Sequence, residues 1–459
     1  MILSELAAVQ NLRSRQASSL AASLNHLIDV DLLLGKILSN AREVLQAEAG
    51  TVYLVTGGKL KFQTSQNDYL ERLIHSSEDL PFIGSNLDID SSTLAGYVAQ
   101  SKAILTVNNT ENIDFDAPFQ HLMAIDASTN YICKAIMSIP LLTGNGILLG
   151  VLQLINPMGR DGQVIGFTDH DVSILEYYAQ SVSVALERAI TLKQSIINSL
   201  KLVELHDQTE TTAHVQRIAL LTTAIYKNWA QKNRVPEEEK ERILNILPLA
   251  SMLHDVGKAW IPTHILNKPG RLNKQERVVM EDHVPLGAKL YLDVRTPMDQ
   301  LVYDIICDHH ERWDGLGYPG VKAPAGEPTV GPEQNSGQGQ NPGRGQNPGR
   351  GQNSSYYQSH GLDQDPAPNP KGPQGGGDLG ETRGKKGEEI SIYGRILAVA
   401  DVYDALSSRK AYKEPFDESL VIQIMTQESG RHFDPAVIDS FLAVRPILAK
   451  IRERHAESE

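Results

Sequence analysis

The residues of this 459-residue chain best suited to chemistry lie in its second half. His254 and Asp255 are adjacent in LeuAlaSerMetLeuHisAspValGlyLys, at the end of an apolar run. An uncompensated imidazole and carboxylate would be costly to bury there. Metal coordination removes that cost, and the two oxygens of a carboxylate can bridge two cations. Glu210 and His214 are four residues apart and share one helix face. His283 follows a short amphipathic stretch. His309-His310-Glu311 closes a helix, and Asp401 sits inside the apolar ArgIleLeuAlaValAlaAspValTyrAspAlaLeu. Singly, each has a bland reading as a packed His or a paired Asp. Together they are hard to explain without metal. Lys258, one helical turn beyond His254, should face the same cavity, unless it is a solvated helix-end lysine.

The elements that must position these groups are mostly helices, expected at 210–231, 237–257, 274–282, 285–293, 298–310, 395–406, 417–429 and 434–443. That many helices can enclose an all-helical core. Residues 323–387 do not fit it. They are rich in Gly, Pro, Gln and Asn, and GlyGlnAsnProGlyArg occurs at 339–344 and again at 345–350. Such a segment has almost nothing to bury and reads as a disordered insertion. The first half mixes helix and strand. A helix is expected at 31–46, a strand at 50–55 with a turn at Gly57 and Gly58, a helix at 92–100 and a strand at 103–107. A hairpin of 135–140 and 146–156 turns at Gly144 and Asn145, and a long helix opens at 167–175 with Thr168 as its cap. Leu186, Ile190, Ile197 and Leu200 recur near heptad spacing, so the following helix is either a coiled coil or a plain connector.

The expected organisation is a helix or tail at 1–19, an α/β sensor at 20–185 with an antiparallel sheet and flanking helices, a connecting helix at 186–208, and an all-α domain at 209–450 that carries the insertion. The formal net charge of -13 disfavours nucleic acid and anionic membranes as general partners. No run of eighteen apolar residues occurs, so no membrane insertion is expected, and the location is read as cytoplasmic. Cys133 and Cys307 lie far apart and read as reduced thiols.

The N-terminal order resembles the GAF fold, through GlyTyrValAlaGln, AlaIleMetSerIlePro and GlnLeuIleAsn…PheThrAspHisAsp. Asn156 and Phe167 match a pattern of nucleotide-binding members, but Pro157 replaces its Lys. The resemblance implies a small-molecule ligand or a dimerisation module. The C-terminal half resembles the HD-GYP phosphodiesterases of the HD metal-dependent phosphohydrolases. The resemblance rests on His254-Asp255-Val-Gly-Lys258, on residues 261–272, on HisHisGluArgTrpAspGlyLeuGlyTyrPro (309–319), on AlaAspValTyrAspAlaLeu (400–406) and on GlyArgHisPheAspPro (430–435).

What this second resemblance implies is specific. His254, Asp255 and Asp401 fill the core positions, with Asp255 bridging, and His283, His309 and His310 the second-metal positions. Glu210 and His214 complete the ligand set. The resemblance implies two or three divalent metals, iron or manganese, the retained Glu being the feature associated with three. The implied substrate is cyclic di-GMP, cleaved to 5'-pGpG, with further cleavage to GMP left open, and with Asp255 and Lys258 as the catalytic groups. Lys258, Gly317, Tyr318, Pro319, Lys410 and Lys413 would contact the substrate. Lys410 and Lys413 stand where the family has arginines, and Ala411 where it has Pro, which weakens the base contacts. Another cyclic dinucleotide such as cyclic GMP-AMP, or a catalytically silent receptor, are the alternatives. A homodimer through the GAF-like domain and connecting helix is expected.

Overall fold

The structure, a computed structural model, describes residues 2–71, 86–113, 116–119, 131–207, 211–322, 382–408 and 415–454. Three expected site residues, Glu210, Lys410 and Lys413, lie outside the described residues, as does most of the expected insertion. The chain divides into two compact units, Met1–Ser195 and Ile196–Glu459.

In the first unit, helix α1 (Ile2–Ser23) is followed by α2 (Val30–Leu45), whose N-terminus is capped by Asp29 accepting from the Leu32 amide at 2.8 Å. The strands are β1 (Ala47–Thr56), β2 (Lys59–Asn67), β3 (Asn86–Leu87), β4 (Leu105–Val107), β5 (Ile136–Leu142) and β6 (Leu148–Pro157), with α3 (Leu94–Ser101) between β3 and β4. Among the described residues they form one antiparallel sheet in the order β3-β2-β1-β6-β5-β4. Strand side chains alternate between faces. Val52, Met137, Ile139, Leu152 and Leu154 therefore share one face, buried against Leu34, Ile37 and Leu38 of α2 and Tyr178 and Val182 of the last helix, α4 (Asp169–Glu204). The expected cap of α4 is present: Thr168 Oγ1 accepts from the Asp171 amide at 3.2 Å, and the Asp171 carboxylate accepts from the Thr168 amide at 2.9 Å.

Asn156 acts as a brace. It is buried, with positive φ, and its side chain accepts from the amides of Lys134 and Ala135 while donating to Tyr131 Oη and the Ile132 carbonyl. Neither Cys133 nor Cys307 is in a disulfide. The long helix α4 continues unbroken to Glu204, so residues 186–204 of the expected connector are the second half of one helix.

The second unit is largely helical: α5 (Thr212–Lys232), α6 (Glu237–Ser251), α7 (Lys274–Glu281), α8 (His283–Ala288), α9 (Pro297–Asp308), α10 (Ile392–Ser407), α11 (Glu418–Gln427) and α12 (Pro435–Arg454). Helix α5 packs on α6, α10 and α12. Its buried Leu221, Ile225 and Tyr226 belong to the core of this unit, as do Leu247 of α6, Ile396 and Val399 of α10, and Phe441 of α12. Several expectations are corrected. The α-helix expected at 285–293 ends at Ala288, and the one expected at 434–443 runs on to Arg454. Helix 237–257 ends at Ser251, and a 3-10 turn at Val256–Trp260 follows. The reason is close packing: a Cβ on Gly257 would meet the His283 carbonyl oxygen at 1.9 Å, so this backbone lies directly on α8. The expected insertion also runs too far. Residues Thr382–Arg383 form β8, paired antiparallel with β7 (Val321–Lys322), and Lys385 is tied into the helical unit by an ion pair with the buried Asp308. Among the described residues no helix is long and apolar enough to cross a membrane.

Candidate metal centre

The helix ends deliver the expected ligands. His214 lies in the first turn of α5, where its amide donates to the Thr211 cap at 3.1 Å. His254 and Asp255 occupy the turn after α6, His283 opens α8, His309 and His310 close α9, and Asp401 is inside α10. They form two groups able to coordinate a divalent metal: Asp255, His283, His309 and His310, and His214, His254 and Asp401. Asp255 reaches both. Its Oδ1 is 3.1 Å from His283 Nε2 and 3.4 Å from His309 Nε2, and its Oδ2 is 3.2 Å from His254 Nε2. On the second group, His214 Nε2 is 3.8 Å from Asp401 Oδ1.

Three imidazoles are aimed by the same local device. The Nδ1 of His254 bonds the Ser251 carbonyl at 2.9 Å, that of His283 the Met280 carbonyl at 2.7 Å, and that of His309 the Ile306 carbonyl at 3.0 Å. Each acceptor is three residues upstream, and Nδ1 must carry the proton to meet it. Every Nε2 then presents its lone pair to the cluster. His283 Nε2, His309 Nε2 and Asp255 Oδ1 are buried and in no hydrogen-bond geometry. An unsatisfied buried polar atom costs about 1–3 kcal/mol. Converging lone pairs of this kind fit a cation. Burial, with the neighbouring imidazoles adding to it, pushes His309 and His310 below the usual histidine range, so both are neutral, the form that ligates metal. Burial opposes ionisation of Asp255, but Lys258, His254 and His283 hold its carboxyl well below the usual range.

Lys258 sits on the 3-10 turn, where side chains three apart eclipse. Its Nζ is accordingly 2.8 Å from Asp255 Oδ2, and 3.6 Å from the carboxylate of the buried Asp207. It reaches Asp255 from this 3-10 turn rather than from an α-helix. Gly317, Tyr318 and Pro319 form a loop folded back on the ligands. The Tyr318 ring stacks on His310, with centroids 4.7 Å apart. A Cβ on Gly317 would lie 2.5 Å from the His310 carbonyl oxygen, so glycine permits this approach.

Spacing alone did not reveal the residues that support the ligands. Asp404 is buried and accepts from both His214 and Arg217. It lies three residues after Asp401, and Arg217 three after His214, so the helical period could have pointed to them. Glu311 holds the loop: its carboxylate accepts from the Gly320 amide at 2.6 Å and the Lys385 amide at 2.9 Å, and burial pushes its pKa up to about 7. Its partner Lys385 is too distant in sequence for any local signal.

Comparison with known proteins agrees with this geometry. The family model for the HD domain matches residues 193–327 and 375–437, and that for the GAF domain matches residues 29–186. The chain thus carries a GAF domain followed by an HD domain, the second holding the clustered histidines and carboxylates. It is similar to the 3'3'-cGAMP-specific phosphodiesterase 2 of Vibrio cholerae, at 28% identity over 61% of this chain and 42% of that protein. It is also similar to a cyclic di-GMP phosphodiesterase of Vibrio cholerae, at 28% over 54% of this chain and 39% of the relative. A cyclic di-GMP phosphodiesterase of Thermotoga maritima is 26% identical over 58% of this chain and 52% of its own length. The chain thus spans about half or less of the length of these relatives.

Proposed function

We propose that the chain hydrolyses cyclic di-GMP to 5'-pGpG, and onward to GMP, under control of its GAF domain. The observation that carries this reading is the placement of Asp255, one oxygen facing His283 and His309 and the other facing His254 and Lys258. That arrangement suits two divalent metals sharing one carboxylate, with His214, His254 and Asp401 on one side and His283, His309 and His310 on the other. Glu210 would add a ligand for a third. The donor set of imidazoles and carboxylates without thiolate suits iron or manganese. When bound, such ions supply an activated water and neutralise phosphate charge.

The protein's own groups do the rest. Lys258 places an ammonium beside Asp255, where it can pair with a nonbridging phosphate oxygen as negative charge builds. Gly317, Tyr318 and Pro319 form the rim next to His310, and Lys410 and Lys413 would supply further cationic contacts to the substrate. In the GAF domain, a small molecule would bind on the sheet face opposite α2, where Gln153 donates to Ser138 at 2.9 Å and Thr51 is 3.1 Å from Ser65. A homodimer through the GAF domain and α4 would let that ligand regulate turnover. The domain limits follow the sequence reading, with the low-complexity insertion ending before Thr382.

A second reading has its own support, the similarity to a 3'3'-cGAMP-specific enzyme. The test is turnover of both cyclic dinucleotides by full-length protein purified without oxygen, with metals quantified on the same sample. Cyclic di-GMP cleavage that is abolished in His254→Ala and Asp255→Ala is the expected result, and one metal fewer in Glu210→Ala marks a three-metal site. Preference for 3'3'-cGAMP transfers the reading to that substrate. No turnover of either by metal-loaded protein sinks it.

A further inference from the structure

His214 differs from the other imidazoles of the centre in what holds it. His254, His283 and His309 are each steered by a backbone carbonyl three residues upstream. His214 lies in the first turn of α5. Its Nδ1 instead meets Asp404 Oδ2 at 2.9 Å. Asp404 is itself gripped from two directions: Arg217 Nε lies 2.7 Å from Oδ1 and Arg217 Nη2 lies 2.9 Å from Oδ2. Arg217 and Asp404 are 3% and 1% exposed, so this is a fully desolvated charge pair rather than a surface bridge. Arg217 Nη2 also donates to Ser408 Oγ at 3.2 Å, at the end of α10. The pair joins the helix that carries His214 to the helix that carries Asp401.

We propose that Asp404, locked by Arg217, is the positioning residue that fixes the tautomer and ring direction of His214 and so sets metal affinity at the His214–His254–Asp401 half of the centre. A carboxylate already receiving a guanidinium fork can only accept from the imidazole, so Nδ1 carries the proton and Nε2 is left unprotonated, its lone pair available to a metal on the Asp401 side. A carboxylate behind an imidazole also makes it a stronger ligand. The imidazoles of the centre are then held in two ways. His254, His283 and His309 are oriented by backbone carbonyls of their own segments. His214 depends on a buried ion pair between distant segments, which side-chain substitution can weaken on its own. This inference deepens the hydrolase reading, on which its metal-binding consequence rests.

The test compares full-length wild type with Asp404→Asn and Arg217→Lys, using manganese as the probe. Chelator competition reads affinity, and metal analysis after desalting reads stoichiometry. Asp404→Asn is expected to bind one manganese per chain about 10- to 100-fold more weakly, with the Asp255–His283–His309–His310 half unchanged. Arg217→Lys, which keeps the charge but not the fork, should fall between. Independently of metal, histidine 15N NMR of the metal-free protein should show His214 with Nδ1 protonated in wild type and shifted toward the Nε2-protonated form in Asp404→Asn. Unchanged tautomer and unchanged manganese affinity overturn the proposal. If Asp404→Asn does not fold, Arg217→Lys decides the matter by the same two readouts. A wild type that binds no manganese or iron would sink the hydrolase reading instead, and the tautomer would still decide this one.

Discussion

Lys258 and Asp255 lie three residues apart on one turn and share a contact of 2.8 Å, so removing the lysine changes charge without removing a ligand. Lys258→Met is expected to lower turnover about 10²- to 10³-fold, the scale of losing one preorganised stabilising donor. Metal content should hold, because cations take over the balancing of Asp255. Parallel turnover and metal analysis check this, and loss of metal in step with activity would assign Lys258 a structural role. Lys258→Arg should recover part of the rate. At this scale the ligands themselves were legible in the sequence, since an adjacent His-Asp pair after an apolar run and a His-His pair at a helix end are unusual locally. Their supports were not. Asp404, Arg217, Glu311 and Lys385 act through pairs that bridge segments far apart in the chain: helical spacing could mark Asp404 and Arg217 as neighbours of ligands, but it carries no trace of which residues pair.

Helix starts in the second unit were legible to within a turn because caps mark them, but several ends were not: α12 runs to Arg454 rather than 443, and α8 stops at Ala288 rather than 293. In the first unit, Thr168 was identifiable from PheThrAspHisAsp and does cap α4. Another such end, that of α6, was set by tertiary packing. Gly257 lets the 3-10 turn touch α8, and no local propensity encodes what lies across that contact. The substitution Gly257→Ala tests the point. Its Cβ would overlap the His283 carbonyl oxygen, so either the turn or α8 must shift and move Asp255 or His283 off their shared position. We expect a destabilisation of about 1–3 kcal/mol from overpacking and a loss of metal from the His283 half. Thermal unfolding of the metal-free protein and metal analysis check the two effects separately. Normal metal content would show that the contact is not needed to align the centre.

At the scale of the whole molecule, the HD match is interrupted between residues 327 and 375, in the region where sequence composition also changes. What composition could not show is which residues on either side of this region pair with one another. The β7–β8 pair, with Val321 opposite Arg383 and Lys322 opposite Thr382, resolves that. Because Lys322 and Thr382 are directly paired, a two-residue Asn-Gly turn can connect them with hairpin geometry. Replacing residues 323–381 by Asn-Gly is therefore expected to leave metal content and thermal stability unchanged, as measured by metal analysis and calorimetry. A fall in either would show that the excised segment supports the fold.

The same ladder has a consequence for how this gene can vary. Its two ends are already a strand spacing apart, and they are held by Glu311 and Asp308 regardless of what runs between them. Closing a longer loop across fixed ends costs only about 0.6 kcal/mol per doubling of length. Repeat expansion, of the sort written in the duplicated GlyGlnAsnProGlyArg, is thus nearly invisible to folding at this point. A reporter domain inserted between Lys322 and Thr382 is therefore expected to leave the fold intact, which thermal unfolding would check.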